Sequence, residues 1–263
     1  MMRSSSLLSG LGRVYIGLVL VFLYLPLVIM AAMSFNASPF YQLPFEGTTS
    51  WYAALASNEG LIASTLNSLQ IAVLTTLIAT TLGTAASLAL FRSDFRGKRA
   101  LQALLFPPIA IPWLISGTAM LIFFFGTGIG RGLHAILLGH VALALPYVII
   151  VVSARLQTFP RELEDAAASL GASRWQTTRK VTLPAIAPGI VAGALFAFAV
   201  SFDQFVVSYF LATPGQTTLP VEIYAAIRKG FTPEINAVST IVILFSMGLM
   251  LIVSRFFRFA GDR

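Results

Sequence analysis

The chain has 263 residues, a formal charge of +7 at neutral pH and a charged fraction of only 10%, far below that of soluble globular domains. Its mean hydropathy of +0.85 excludes an ordinary soluble fold and indicates a polytopic membrane protein. The basic residues lie in short clusters beside apolar runs, without the stripe of basic and aromatic residues that nucleic-acid binding needs. Cysteine is absent, which excludes disulfides and thiolate metal sites.

Six apolar runs are each long enough to cross a bilayer, which takes roughly 20 residues in a helix. They cover about Val14–Met33, Ser64–Phe91, Leu101–Phe125, Leu133–Leu156, Ala185–Leu211 and Ile235–Val253. The first run follows Arg3 and Arg13, but it is longer than the apolar core of a signal peptide, so we interpret it as a retained span. The sequence therefore predicts an all-α membrane protein whose residues 1–263 form a single transmembrane domain.

The distribution of basic residues predicts the orientation of these spans. When the six spans are threaded alternately through the membrane, all of the 17 Lys and Arg residues except Arg131, Arg228 and Lys229 fall on the same side. Short cytoplasmic loops carry the positive excess in membrane proteins. We therefore expect both termini in the cytoplasm, together with the loop 158–184 between the fourth and fifth spans.

Proline interrupts the third run at Pro107, Pro108 and Pro112. Such residues are tolerated in transmembrane helices because neighbouring helices can satisfy the freed backbone groups. Two interpretations stay open, namely kinked helix packing and a hinge that gates a pathway.

The loop 158–184 is polar, and its first half predicts a short helix. Pro160 can occupy a first helical turn, where no backbone donor is needed. The acidic residues Glu162, Glu164 and Asp165 follow in the early turns, where a negative charge suits the helix dipole.

The second half of this loop predicts a turn and a second helix. Gly171 is placed as a left-handed C-terminal cap. Ser173 and Gln176 have the spacing of a capping box, which opens a helix that we expect to stop before Pro184. Two ordered helix starts in so short a segment indicate a loop that holds one shape.

Small and apolar residues cluster on the first of these helices, namely Ala166, Ala167, Leu170 and Gly171. They would form a narrow surface on which the backbone of another protein can come close. The alternative is an amphipathic loop that lies on the lipid surface.

The segments Asp165-Ala166-Ala167, Gly171 and Val181-Thr182-Leu183-Pro184 resemble, at matching spacing, the cytoplasmic "EAA" loop of permease subunits of ATP-binding-cassette importers. Asp165 replaces Glu and Val181 replaces Ile, both with similar character. The resemblance implies the six-helix type I permease fold and a coupling helix that enters a cleft of an ATPase subunit. The implied ATPase-coupling residues are Glu164, Asp165, Ala166, Ala167, Leu170, Gly171, Leu183 and Pro184.

A phosphate-binding loop is missing from the sequence, since its single Gly-Lys pair, Gly97-Lys98, is followed by Arg99. We therefore expect ATP and Mg²⁺ to be bound by separate ATPase subunits, in two copies. This chain is expected to bind no cofactor and to be no enzyme.

The segments Ser201–Phe210 and Leu219–Thr240 resemble permeases of spermidine/putrescine importers. That resemblance implies a polyamine as the solute, a second and different permease chain, an extracytoplasmic binding protein, and a bacterial inner membrane as the location.

Asp203 is the one acidic residue that we place inside a predicted span. An intramembrane carboxylate normally faces a bundle interior or a water-filled path, where it would attract a cation. Phe202, Phe205 and Tyr209 share a helix face and could add cation–π contacts. We assign Asp203, Phe202 and Tyr209 to a substrate pathway; the alternatives are a structural Asp bonded to Gln204, Ser201 or a neighbouring helix, and an Asp placed at a helix end.

On the extracytoplasmic side, Glu222 and Tyr224 are candidates for docking the binding protein, against the alternative of ordinary solvated loop residues. His134 and His140 lack the spacing of metal ligands. No arrangement of nucleophile and base, or of paired carboxylates, indicates catalysis.

Two alternative functions remain open. One is an importer permease for another solute, such as ferric ion, thiamine, an amino-acid derivative or an oxyanion; the lack of a basic residue within any predicted span argues against a bare dianion. The other is an ion-coupled secondary transporter or a channel. Against it, the sequence has no second intramembrane carboxylate and no internal repeat of the kind found in such carriers.

Overall fold

The computed structural model describes residues 3–38, 42–230 and 233–261, with side chains at 12–38, 42–230, 234–248 and 251. The described residues form helices and loops with no strand, as the sequence predicted. The chain divides into two compact units. One comprises Met1–Glu59 and Ile223–Phe259, and the other comprises Gly60–Glu222 and Ala260–Arg263.

The first unit contains α1 (Arg3–Met33), α2 (Ser50–Ser57) and α13 (Pro233–Gly261). The side chains of the apolar stretch of α1 are exposed along its length, as expected of a helix that faces lipid. Of the predicted sixth span, Ile235–Val253, the side chains beyond Gly248 lie outside the described residues except for Leu251.

The segment after α1 is organised around Asn36. Its side-chain nitrogen Nδ2 donates to the backbone carbonyl of Gln42 at 3.0 Å, and its side-chain oxygen Oδ1 accepts from the backbone amide of Glu46 at 3.1 Å. The indole of Trp51, in α2, donates to the Asn36 carbonyl at 2.8 Å. These bonds satisfy the buried Asn36 and fix the connection to α2.

The second unit holds most of the remaining helices, and α12 crosses the boundary between the units. The helices are α3 (Glu59–Arg92), α4 (Lys98–Leu105), α5 (Pro107–Ala110), α6 (Trp113–Gly126), α7 (Leu133–Thr158), α8 (Glu162–Ser169), α9 (Arg174–Thr177), a π-helical turn (Thr178–Thr182), α10 (Leu183–Phe202), α11 (Val206–Leu211) and α12 (Leu219–Lys229).

The predicted span Leu101–Phe125 is not one straight helix but is sharply bent at its prolines. The polypeptide forms α4 and α5, and then bends by 117° into α6. Pro107 and Pro108 lack the backbone donors that would continue α4, and Ile111, which precedes Pro112, is extended at φ −81° and ψ 127°. Long apolar helices occur at Gly12–Met33, Glu59–Arg92, Leu133–Thr158 and Arg174–Phe202, and the bent pair would make a fifth span.

Helix α7 is the central helix of the second unit, and more than half of the residues in its most apolar stretch are buried. Glycines in the neighbouring helices let them approach α7 closely. A Cβ added at Gly83 of α3 would lie 2.7 Å from Val148, and a Cβ added at Gly189 of α10 would lie 2.7 Å from Arg155. Ser87 of α3 also donates a hydrogen bond to the carbonyl of Ile149 at 3.2 Å. Packing of small residues thus holds α3 and α10 against α7.

Candidate functional site: a polar loop and a broken helix

The loop 158–184, called the coupling loop below, begins with α8. The predicted acidic first turn of Glu162, Glu164 and Asp165 is confirmed. Pro160 is not in the first turn, as the sequence suggested, but lies before the N-cap residue Arg161. Phe159, the residue before this proline, is extended at φ −85° and ψ 121°, so Pro160 ends the preceding helix instead of opening the next.

Gly171 terminates α8 in the predicted left-handed conformation, at φ +85°. The Gly171 amide donates to the carbonyl of Ala168 at 2.9 Å, and the Ala172 amide donates to that of Ala167 at 3.0 Å. These two bonds form a Schellman motif, which satisfies carbonyls at the helix end. A Cβ at Gly171 would meet no atom of this chain, so the backbone conformation is what requires glycine here.

The predicted capping box at Ser173 is also confirmed. The Ser173 hydroxyl accepts from the Gln176 amide at 3.3 Å, and the Gln176 side chain accepts from the Ser173 amide at 2.8 Å. The helix that begins here does not stop before Pro184, contrary to the prediction. It continues through the π turn into α10 and forms one helical run, Arg174–Phe202.

The π turn explains how the helix passes Pro184. In a regular α-helix the proline ring would meet the carbonyl of Lys180 and one hydrogen bond would be lost. The wider turn at Thr178–Thr182 lies at that position. The second half of the coupling loop is therefore a direct extension of α10.

The outward surface of the coupling loop carries four of the eight predicted coupling residues. Asp165, Ala166, Leu170 and Gly171 are exposed, and 90% of the Leu170 side chain is accessible. Trp175, which the sequence reading did not single out, is exposed by 69% on the same loop. Large exposed apolar side chains on a rigid support are typical of a protein-docking surface.

The remaining predicted coupling residues face differently. Glu164 and Ala167 are half-buried, as is Leu183, whereas Pro184 is exposed. Within the loop, then, Asp165 faces outward and the preceding Glu164 faces the helices of its own chain.

The predicted helix over Ala185–Leu211 is broken, and the continuous helix face proposed for Phe202, Phe205 and Tyr209 is therefore wrong. Helix α10 ends at Phe202, and α11 begins at Val206. The segment Asp203–Phe205 between them is called the helix break below. Phe202 stacks on Phe198 in α10 with ring centroids 5.8 Å apart, and Phe205 contacts Tyr209 at 5.4 Å.

The helix break exposes Asp203 and buries Gln204. The Asp203 side chain is exposed at the C-terminus of α10. The Gln204 oxygen accepts from the Val206 amide at 3.1 Å and so caps α11, while its buried amide nitrogen has no hydrogen-bond partner among the described residues. Side chains of this kind compete with the helical backbone for hydrogen bonds and favour an interruption.

His140 of α7 joins the two sides of the helix break. One ring nitrogen lies 2.9 Å from the hydroxyl of Ser201 in α10, and the other lies 3.0 Å from the hydroxyl of Ser208 in α11. All three residues are buried. From its sequence context, His140 was considered only as a metal ligand; the single signal for this contact was a serine on each side of the break.

Two glycines allow α11 to lie close to its neighbours. A Cβ at Gly117 of α6 would stand 2.8 Å from the ring of Phe210, and one at Gly139 of α7 would stand 2.8 Å from Val207. The short helix is thereby packed against both α6 and α7.

The predicted docking residues are both in α12. Glu222 is half-buried, and its carboxylate accepts a hydrogen bond from the Thr217 hydroxyl at 3.4 Å. The Tyr224 hydroxyl accepts from Arg228 at 3.2 Å. Among the residues that the structure describes, no group of His, Asp and Glu is arranged to hold a metal ion.

Comparison with known proteins identifies the family. Residues 79–263 match the family "Binding-protein-dependent transport system inner membrane component". The chain is 36% identical over 235 residues to the spermidine/putrescine transport system permease protein PotC of Escherichia coli K12, covering 89% of this chain and 88% of PotC. It is 35% identical over 229 residues to the putrescine transport system permease protein PotI of the same strain, covering 84% and 82%.

Solved structures show the same fold. A chain of a bacterial ABC transporter involved in the import of the acidic polysaccharide alginate has a TM-score of 0.78 at 16% identity, covering 98% of this chain and 99% of that one. A second structure, the alginate transporter with its pentasaccharide-bound periplasmic protein, gives a TM-score of 0.75 at 19% identity, covering 96% and 94%. The chain therefore belongs to the inner-membrane permease components of binding-protein-dependent transport systems and has the fold of an ABC-importer permease subunit, which is not itself an enzyme.

Proposed function

We propose that this permease imports a polyamine cation, spermidine or putrescine, as one half of an ATP-driven translocation pathway. The observation that carries the proposal is the identity of 35% to 36%, over most of the chain, with two permeases whose names state those solutes. The whole chain, 1–263, serves as one transmembrane permease domain with both termini in the cytoplasm. That orientation follows from the distribution of basic residues.

The geometry of the helix break favours a cationic solute. Helix α10 ends there after 20 residues, and its terminal carbonyls carry the negative end of the helix dipole. The exposed carboxylate of Asp203 adds a full negative charge at the same point. Ends of interrupted helices are used in this way to coordinate cations in other transporters.

Aromatic rings near the helix break suit an alkylammonium group. Phe202 lies next to Asp203 in the chain, and Tyr209 of α11 is exposed. A cation over such a ring gains about 0.5 to 2 kcal/mol, depending on its desolvation. Asp203, Phe202 and Tyr209 are therefore our proposed substrate-pathway residues.

The coupling loop receives the ATPase. Its outward residues, from Asp165 to Gly171, dock in a cleft of an ATP-binding subunit, one of a pair that binds ATP and Mg²⁺. The continuous helix Arg174–Phe202 links this loop to the helix break. A second, different permease completes the pathway, and a binding protein delivers the solute to α12, where Glu222 and Tyr224 are the proposed contacts.

The test is uptake of labelled spermidine and putrescine by proteoliposomes that contain this chain with its partner permease, ATPase pair and binding protein. We expect uptake that requires both ATP and the binding protein, and that excess unlabelled thiamine or ferric ion does not inhibit. An assembly that hydrolyses ATP but accumulates neither polyamine would contradict the proposed solute. Inhibition by one of the competitors would identify another solute.

A further inference from the structure

Arg92, the last residue of α3, binds the end of α7. Its guanidinium nitrogen Nη2 donates to the carbonyls of Leu156 at 3.4 Å and of Phe159 at 3.2 Å. The guanidinium carbon also lies 5.5 Å from the centroid of the Phe159 ring. Leu156 and Phe159 are themselves buried, so these contacts fix the cytoplasmic ends of α3 and α7 to each other.

Glu164 of the coupling loop meets Arg92 from the other side. Its oxygen Oε1 lies 3.3 Å from the Arg92 nitrogen Nε. The same oxygen accepts a hydrogen bond from the Thr182 hydroxyl at 2.7 Å. Thr182 is the buried last residue of the π turn that leads into α10. One carboxylate therefore connects α8 with the ends of α3 and α7 and with the base of α10.

This ion pair differs from an ordinary surface pair. The side chains of Arg92 and Glu164 are only 16% and 20% exposed, whereas Asp94, in the neighbouring pair with Lys98, is 99% exposed. Exposed pairs contribute little and are screened by salt. Removing one member of a partly buried pair is costly, since the other charge is left without compensation.

We propose that the Arg92–Glu164 pair is a second connection between the coupling loop and the membrane helices, and that it moves α3 and α7 when the ATPase moves the loop. The backbone connects the loop to α7 and α10 through its two ends, and Arg161 at the start of the loop donates to the Phe91 carbonyl of α3 at 3.1 Å. The pair adds a side-chain contact from Glu164 to α3, and it ties the middle of the loop to all three helices. Arg92 lies outside the segments that identify the loop in sequence, and it acts as a positioning residue. This inference rests on the proposed function of the coupling loop.

The first experiment compares Arg92→Gln with the unmodified chain in the reconstituted assembly. We expect ATP hydrolysis to persist while the amount of polyamine imported per ATP falls roughly tenfold, as expected when an interaction worth about 1.4 kcal/mol is lost. Arg92→Lys keeps the charge beside Glu164 and should recover part of the loss. The matched control is Lys98→Gln, which removes a charge from the exposed pair nearby and should leave the ratio unchanged.

A double-mutant cycle tests whether the two residues act as a pair. Glu164→Gln should lower the ratio about as much as Arg92→Gln, and the double variant should be no worse than either single one. Losses that simply add would overturn the proposal, because they would show that each residue acts alone.

A third measurement does not depend on the solute. The chain contains no cysteine, so Ile62→Cys places one thiol of this chain near the far end of α3, about 45 Å from Arg92 along the helix. We expect the rate of maleimide labelling to change with ATP in the otherwise unmodified chain, and this change to be lost with Arg92→Gln. An ATP response that survives the substitution overturns the inference. If the assembly takes up no polyamine, the proposed solute is wrong, but the labelling experiment still tests whether Arg92 transmits the ATP response to α3.

Discussion

The coupling loop and the helix break lie at the two ends of the helical run Arg174–Phe202, and they are stabilised in different ways. Bonds between residues that are three to five apart in the sequence shape the coupling loop, through the Schellman motif and the capping box. The helix break depends on His140, which is 61 residues before Ser201 and 68 before Ser208. The structure of the coupling loop is thus determined by nearby residues, whereas that of the helix break depends on the packing of α7 against α10 and α11.

The largest effect is expected at the locally specified end, for Gly171→Val. The left-handed backbone costs a residue with a Cβ about 1 to 2 kcal/mol, and more for a β-branched one. Since the altered turn displaces Leu170 and Ala166, we expect uptake per ATP to fall by roughly one to two orders of magnitude, with membrane insertion intact. The measurement is uptake and ATP hydrolysis in the same proteoliposomes.

Gly171→Asn is the control for that variant. Asparagine tolerates the left-handed conformation better than other residues, so it should retain most of the coupling. Equal losses for the two variants would mean that the left-handed backbone is not the reason for glycine at this position. The reason would then be that any side chain there blocks the contact with the ATPase.

A smaller effect, specific to the solute, is expected for Asp203→Asn at the helix break. Loss of the carboxylate removes one charge of attraction for an ammonium group while it preserves the shape of the side chain. We expect KM for spermidine uptake to rise about tenfold, with less change in the maximal rate. Glu59→Gln, which removes an exposed carboxylate elsewhere, should leave KM unchanged. An unaltered KM for Asp203→Asn would assign Asp203 a structural role only.

His140→Ala tests whether the helix break depends on distant contacts. The change leaves the hydroxyls of Ser201 and Ser208 without their partner, at about 1 to 3 kcal/mol for each unsatisfied group. We expect a lower unfolding temperature in detergent and a several-fold loss of uptake. His134→Ala, which removes one exposed bond to the Ile129 carbonyl, is the matched control. If both variants unfold at the same temperature as the parent, the contact to His140 does not stabilise the break.

The smallest effect is expected for Ser173→Ala. Loss of an N-cap side chain costs about 1 kcal/mol, but the helix that it caps is held by the whole of α10. We expect a reduction of uptake per ATP by no more than a factor of a few. A reduction as large as that of Gly171→Val would show that both halves of the loop must be rigid, and would sharpen the contrast with the helix break.

The sequence was informative in proportion to how local each feature is. The polar helix α8, the Gly171 turn and the Ser173 capping box follow from side chains that bond to nearby backbone, and all three are present. Apolar runs indicated the long helices, but they carry no periodic signal where a helix is surrounded by lipid and protein on all sides.

Two interruptions were considered only as alternatives, for physical reasons. At Leu101–Phe125 the prolines were noted, yet their effect depends on whether neighbouring helices replace the lost bonds, which a single sequence does not reveal. At Asp203 there is neither proline nor glycine. Gln204 and the serines that contact His140 end the helix there, and these contacts exist only after α7 has packed against α10 and α11.

The unbroken run Arg174–Phe202 has a mechanical consequence. Its 29 residues make a stiff rod about 44 Å long, and a tilt of about 5° at the end that carries the coupling loop would displace the other end by about 4 Å. That distance is comparable to the width of an alkyl chain. In the proposed assembly, a small rotation of the ATPase would therefore shift the helix break by the width of an alkyl chain, with no refolding of the helix in between.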